Sequence, residues 1–144
     1  MRLLGFSFNK ISAERLSVNQ ADFKELKINN NIDISSIEKA NSEVFKAKDE
    51  ELISVKFKYS INYEPNFAII EIHGNILVSM ESKKTKEFLK KWEDNKEMPE
   101  DARLALFNTI IQKSSIKALQ LEDDMSFPFH MPFPKLSRQE NKSN

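Results

Sequence analysis

Residues 53–63 read Ile-Ser-Val-Lys-Phe-Lys-Tyr-Ser-Ile-Asn-Tyr. Ile53, Val55, Phe57, Tyr59, Ile61 and Tyr63 are apolar or aromatic, and the residues between them are polar. Strict period-two alternation marks a strand with one face buried and one wet, the usual state of an antiparallel sheet. Glu64-Pro65-Asn66 supplies a turn. The next run places Ala68, Ile70, Ile72, Gly74, Ile76, Val78 and Met80 at one parity. Its other side carries Glu71, His73, Asn75 and Ser79, but also Ile69 and Leu77. A glycine in mid-strand, here Gly74, marks a bulge or a sharp bend. A long hairpin over residues 52–80 therefore anchors the fold.

Toward the N-terminus two weaker strands are legible. Leu26, Ile28, Ile32 and Ile34 share a parity, interrupted by Asn29-Asn30-Asn31. Phe6 and Phe8 share one parity and Ile11 and Ala13 take the other, so the phase slip at Asn9-Lys10 predicts a β-bulge. Residues 36–49 are polar and irregular and read as a surface loop. Toward the C-terminus the period becomes helical. Ser82 is placed to cap a short helix ending at Trp92, with Phe88, Leu89 and Trp92 inward. Residues 95–98 break it, and Pro99 opens a longer helix with Glu100 and Asp101 in its first turn. Ala102, Leu106, Phe107, Ile110, Ile111, Ser114, Ala118 and Leu121 form its apolar stripe. Glu122-Asp123-Asp124 reads as a solvated helix end.

The chain has 144 residues, enough for one domain with a real core. We expect that domain over residues 1–136, with a polar, disordered tail over 137–144. Twenty-two Lys and Arg balance twenty-two Asp and Glu. Zero net charge argues against a nucleic-acid partner, which normally calls for a basic excess. The basic cluster Lys83, Lys84, Lys86, Lys90 and Lys91 is diluted by Glu87, Glu93 and Asp94, so it reads as a solvated helix face. No apolar run approaches the ~20 residues of a membrane-spanning helix, and the first residues are too short for a signal peptide. With no cysteine, these features suggest a soluble cytoplasmic protein without membrane insertion. Only two glycines are present, which leaves no Gly-rich phosphate loop. His73 and His130 stand apart, with no second histidine at ligand spacing, and each reads as a surface or packing residue. We therefore expect no metal, no cofactor and no catalytic set: the chain does not read as an enzyme.

Eleven of the fourteen aromatics are Phe, and three of these lie in one arm. Met125, Phe127, Phe129, Met131 and Phe133 fall at odd positions, with Pro128, Pro132 and Pro134 at even ones. Proline forbids a regular helix here and imposes an extended course. Either these side chains cover the domain's own core or a partner subunit, or they line a groove for apolar peptide, a task that flexible Met and flat Phe suit.

The order of these pieces resembles the SecB family of protein-export chaperones. Four features carry the resemblance: the opening Phe8-Asn9-Lys10-Ile11-Ser12-Ala13-Glu14; the hairpin, with Ala68-Ile69-Ile70-Glu71-Ile72-His73-Gly74-Asn75-Ile76 as its nearest echo; Asp101-Ala102-Arg103 at the start of the long helix; and the Pro- and Phe-rich exit after it. It covers roughly residues 5–136. The resemblance implies an α+β fold, a four-stranded antiparallel sheet with helices packed on one face. It further implies a homotetramer built as a dimer of dimers, acting in protein transport as an ATP-independent holdase for unfolded polypeptide clients. Carried over by position, the client groove involves Phe23, Leu26, Met125, Phe127, Phe129, Met131, Phe133 and Leu136. Three departures stand out. The family's bacterial members are acidic and this chain is neutral; Arg15 follows Glu14 at once, which counts against docking an export motor; and the family's last helix is missing after Leu136. A SecB-fold adaptor with one dedicated partner, such as a toxin–antitoxin or ribosome-linked component, is the alternative, ahead of an RNA-binding domain.

Overall fold

The computed structural model describes residues 1–17, 25–41, 49–134 and 136–138. Phe23 and nearly all of the expected tail lie outside them. Four strands, β1 (Arg2–Arg15), β2 (Lys27–Ala40), β3 (Glu50–Glu64) and β4 (Ala68–Glu81), precede two helices, α1 (Ser82–Asn95) and α2 (Glu100–Met125). The strands form one antiparallel sheet in the order β1-β4-β3-β2. The expected hairpin is its centre, and both helices pack on the face that the hairpin makes apolar.

The alternation of residues 53–63 explains that face directly. Ile53, Val55, Phe57, Tyr59, Ile61 and Tyr63 are at most 2 % exposed. Ile70, Ile72, Ile76 and Val78 join them from β4. On the other face Lys58 pairs with Glu71 at 3.4 Å, and Ser54 donates to Asn75. Gly74 lies on the buried face, between Phe8 and Phe57. A Cβ there would come within 2.4 Å of the Phe57 ring and 2.6 Å of the Ser7 carbonyl oxygen. The glycine thus lets the Phe57 ring lie close over the β4 backbone, where Phe6 packs against it at 5.4 Å.

The register of β1 slips between Phe8 and Lys10, at the expected bulge, and again between Leu3 and Gly5. A similar slip lies between Ile34 and Ser36 in β2. It corrects the reading of residues 36–49 as loop: the strand runs on to Ala40, and residues 42–48 lie outside the described set. Because the bulge absorbs one residue, Ile37 returns to the same face as Ile34 and is buried opposite Val55.

Ser82 does not cap α1, contrary to expectation; Glu81 occupies that position without a side-chain bond. The Ser82 N–H is instead satisfied by the Asp49 carbonyl at 2.9 Å, and the Thr85 hydroxyl donates to the Glu81 carbonyl at 2.9 Å. Lys96, left-handed at φ 56°, ends α1. In α2 the buried residues are Ala102, Leu106, Ile110, Ser114, Ala118 and Glu122, one in every four. At 3.6 residues per turn, each such step overshoots by about 40°, so the buried line winds roughly 200° around the helix. Two expectations are corrected by this winding. Ile111, placed on the stripe, is 45 % exposed. Glu122, read as solvated, is fully buried, and the helix continues to Met125.

Candidate functional site

Helix coverage thins toward the edge strand β2. Helix α1 touches β2 as well as β3 and β4, whereas α2 packs on β1, β3 and β4. Ile28, Ile32 and Ile34, three of the inward side chains of β2, are only partly buried, whereas Ile37 is buried. Between β2 and the two helices lie three adjoining hollows. One, of about 410 Å³, runs beside residues 35–39 under Leu89 and Trp92. The next, of about 390 Å³, shares Trp92 and Lys96 with it and is walled by Ile32, Ile34, Met98 and Phe107. The third, of about 460 Å³, shares Ile32 and Phe107 with the second and adds Tyr59, Ile111, Ser115, His130 and Met131. Together they make a groove beside residues 30–39, about 30 Å long at the rise of an extended strand. Its two large aromatic walls each carry a cation: the Lys96 ammonium lies 5.2 Å from the Trp92 ring and the Arg103 guanidinium 5.1 Å from that of Phe107.

The groove lies along a strand edge. Among the described residues nothing pairs with the outer side of β2. An extended chain laid there would find backbone donors and acceptors on the strand and partly apolar hollows for alternate side chains, the two elements of recognition by strand addition.

One end of the groove is closed by the arm that follows α2. Ser126, left-handed at φ 57°, turns the chain, and the Phe127 N–H caps the helix on the Glu122 carbonyl at 2.9 Å. Phe127 is only 5 % exposed and packs on Tyr63 and Phe67 at 5.4 and 5.9 Å. Arg15 clamps this corner. Its guanidinium donates to the Met125 carbonyl at 2.7 Å and lies 5.0 and 5.2 Å from the rings of Phe67 and Phe127. Three residues further, His130 Nδ1 sits 2.7 Å from Glu122 Oε1, with both side chains almost fully buried. The Tyr63 hydroxyl donates to the other carboxylate oxygen. Burial and the bond to Glu122 hold the Tyr63 phenol protonated far above its ordinary range. Burial likewise raises Tyr59, opposed by its bond to Ser115. With both carboxylate oxygens occupied, Glu122 serves as an internal clasp for the arm.

The sequence-predicted groove residues therefore divide. Phe127 is core, and Leu26 and Met125 pack partly against the core. Phe129, Met131, Phe133 and Leu136 are exposed, but of these only Met131 lines the groove. Phe129 and Phe133 stack on one another at 5.5 Å. Trp92, Phe107, Ile32 and Ile34, which form most of the walls, were not expected as a site. Their signal was faint: a Trp at the end of an amphipathic helix, and an isoleucine row on a strand whose phase slips. Among the described residues no group of three or more His, Asp or Glu side chains is placed to hold a metal ion.

No family model matches the chain, and no curated relative matches it. Its fold is matched by the solved structure of the Mycobacterium tuberculosis Rv1957 SecB-like chaperone in complex with a ChAD peptide from the Rv1956 HigA1 antitoxin, with a TM-score of 0.53 and 12 % identity. The match covers 96 % of this chain and 92 % of that one. The fold is SecB-like. The expected four-stranded antiparallel sheet carrying two helices is thereby established. Among the described residues no helix is long and apolar enough to cross a membrane.

Proposed function

We propose that this protein is an ATP-independent, non-enzymatic chaperone of the cytoplasm that takes extended polypeptide segments into the groove along β2. The observation that carries this reading is the conjunction of an unpaired strand edge with a row of adjoining hollows beside it, each with apolar side chains among polar ones. Such a site holds unfolded chain through backbone bonds and a few side chains, and holding it lowers the concentration free to aggregate. The SecB-like fold supports the same reading, as does the antitoxin peptide bound by the Rv1957 chaperone. The exposed arm residues Phe129, Phe133 and Leu136 extend the apolar surface beyond the groove's closed end. Large side chains left open on β1 (Leu3, Leu4) and α2 (Leu104, Ile116) support burial against further copies of the chain, in a dimer of dimers.

The test is aggregation of a chemically unfolded model protein diluted into buffer with an equimolar amount of this protein. Suppression is expected, and it should be lost in Ile34→Glu with Trp92→Glu while the circular dichroism of the sheet persists. No suppression by a folded protein would overturn the holdase reading. The adaptor with one dedicated partner is supported by the same complex, since the peptide bound by the Rv1957 chaperone comes from one antitoxin. An adaptor would bind one peptide tightly and leave the unfolded model protein to aggregate.

A further inference from the structure

The middle hollow of the groove differs from its neighbours in charge. Lys96 at the end of α1 and Arg103 near the start of α2 both line it, together with the rings they stack on, Trp92 and Phe107. Each cation is four residues from its ring, the spacing that brings side chains together on a helix. Among the described residues neither cation forms an ion pair. A cation stacked on a ring is held in place while its outward N–H donors stay open to a second partner.

Two acidic residues share this hollow. Asp33 stands in register with Lys58, between Ile32 and Ile34, so its side chain belongs to the outer face of the sheet. There it accepts from the Asn31 amide at 3.1 Å. Glu97 is exposed and forms no ion pair among the described residues. On the groove side, two cations therefore meet one carboxylate. In the hollow beside residues 35–39, Lys39 is bridged to Glu51 at 3.3 Å, Glu38 stands on the outer face opposite Ser54, and Glu93 adds a carboxylate. The third hollow has no lysine, arginine or acid on its walls.

We propose that the middle hollow filters clients by charge: it takes an acidic side chain between Lys96 and Arg103 and turns away a basic one. The inference rests on the groove's being a polypeptide site and adds which polypeptides enter it. A client carboxylate meets two cations already positioned, and the Arg103 guanidinium offers it a planar pair of donors. A client lysine or arginine meets like charge, and each ring that would stack on it already carries a cation. Lys96 and Arg103 are exposed and screened by salt, so each step of client charge changes affinity about twofold to fivefold.

The experiment titrates the full chain with three synthetic nine-residue peptides. Each alternates Leu with Ser, and its central Leu is replaced by Glu, Gln or Lys. Trp92, the chain's single tryptophan, reports occupancy of the middle hollow by its fluorescence. The wild-type protein is expected to rank Glu above Gln above Lys, and the spread should narrow as sodium chloride is raised. In Lys96→Gln with Arg103→Gln the Gln peptide should bind as before, the Glu peptide should lose its advantage and the Lys peptide should gain. Equal binding of the three peptides to the wild type, or a lead for Lys, overturns the filter and leaves the groove reading intact. Binding of none of them overturns both. A Glu preference that survives in the double variant overturns the assignment to Lys96 and Arg103. If that variant fails to fold, Lys96→Gln and Arg103→Gln made singly decide the assignment, each expected to remove part of the Glu preference and overturning it if neither does.

Discussion

Strands β3 and β2 share one antiparallel ladder, with Tyr63 opposite Ile28, Tyr59 opposite Ile32 and Phe57 opposite Ile34. Every inward side chain of β3 from 53 to 63 is sealed, yet on β2 only Ile37 is, and Ile28, Ile32 and Ile34 are half-open. Both strands present isoleucines to the same face, so side-chain type does not explain the difference. Helix placement does: α2 packs mainly over β1, β4 and β3, and the thinly covered margin at β2 becomes the groove. The two strands thus divide one hydrophobic surface between stability and binding, and substitutions should separate the two uses.

The largest effect belongs to the sealed side. Phe57→Ala removes a ring that packs over Gly74 and against Phe6, and should cost about 4 kcal/mol in urea unfolding. A loss below about 1 kcal/mol would show that the centre of the sheet is not closed as described. Next comes the clasp. Glu122→Ala strands the Tyr63 hydroxyl and His130 Nδ1 in the interior and should cost about 3 kcal/mol. Near-neutral unfolding of that variant would place Glu122 in water and release the arm.

How far these regions were legible follows the same division. Residues 53–63 declare themselves because the sheet has a fixed period of two and nothing in that strand disturbs it. Residues 36–40 of β2 were hidden because the bulge near Ser35 shifts the parity by one, which removes the pattern that a reader counts. Glu122 was missed for a related reason. A straight stripe through Leu106 and Ile110 puts residue 122 on the far side of the helix, whereas the winding line on α2 brings it inside. The groove itself has no local signature, since Ile32, Trp92 and Phe107 meet only through the packing of three elements. The arm was legible as a segment but not in its parts, because the odd spacing of its aromatics gives no hint that Phe127 turns inward.

On the open side the expected losses shift from folding to binding. Ile34→Ala deletes part of a half-buried wall and should cost about 1 kcal/mol in stability. It should weaken suppression of the unfolded model protein's aggregation by more than its small loss of stability accounts for, and aggregation assays beside urea melts measure both. Stability loss as large as that of Phe57→Ala would make β2 part of the core and erase the distinction between the strands.

The smallest expected effect tests the arm by the same logic. Phe127 is held by Tyr63, Phe67 and the Arg15 guanidinium, whereas Phe129 and Phe133 touch each other at the surface, 42 % and 60 % exposed. The double change Phe129→Ser with Phe133→Ser should therefore leave the unfolding free energy within about 0.5 kcal/mol of the parent. If the stacked pair belongs to the client surface, that variant also suppresses less aggregation of the unfolded model protein at equal concentration. Unchanged suppression would confine client contact to the groove beside β2, with the arm reduced to the strap that closes its end. A large loss of stability would instead show that the two rings cover apolar surface of this chain or of a second copy. Running the melt at several protein concentrations distinguishes these, since only an intermolecular contact makes the midpoint depend on concentration.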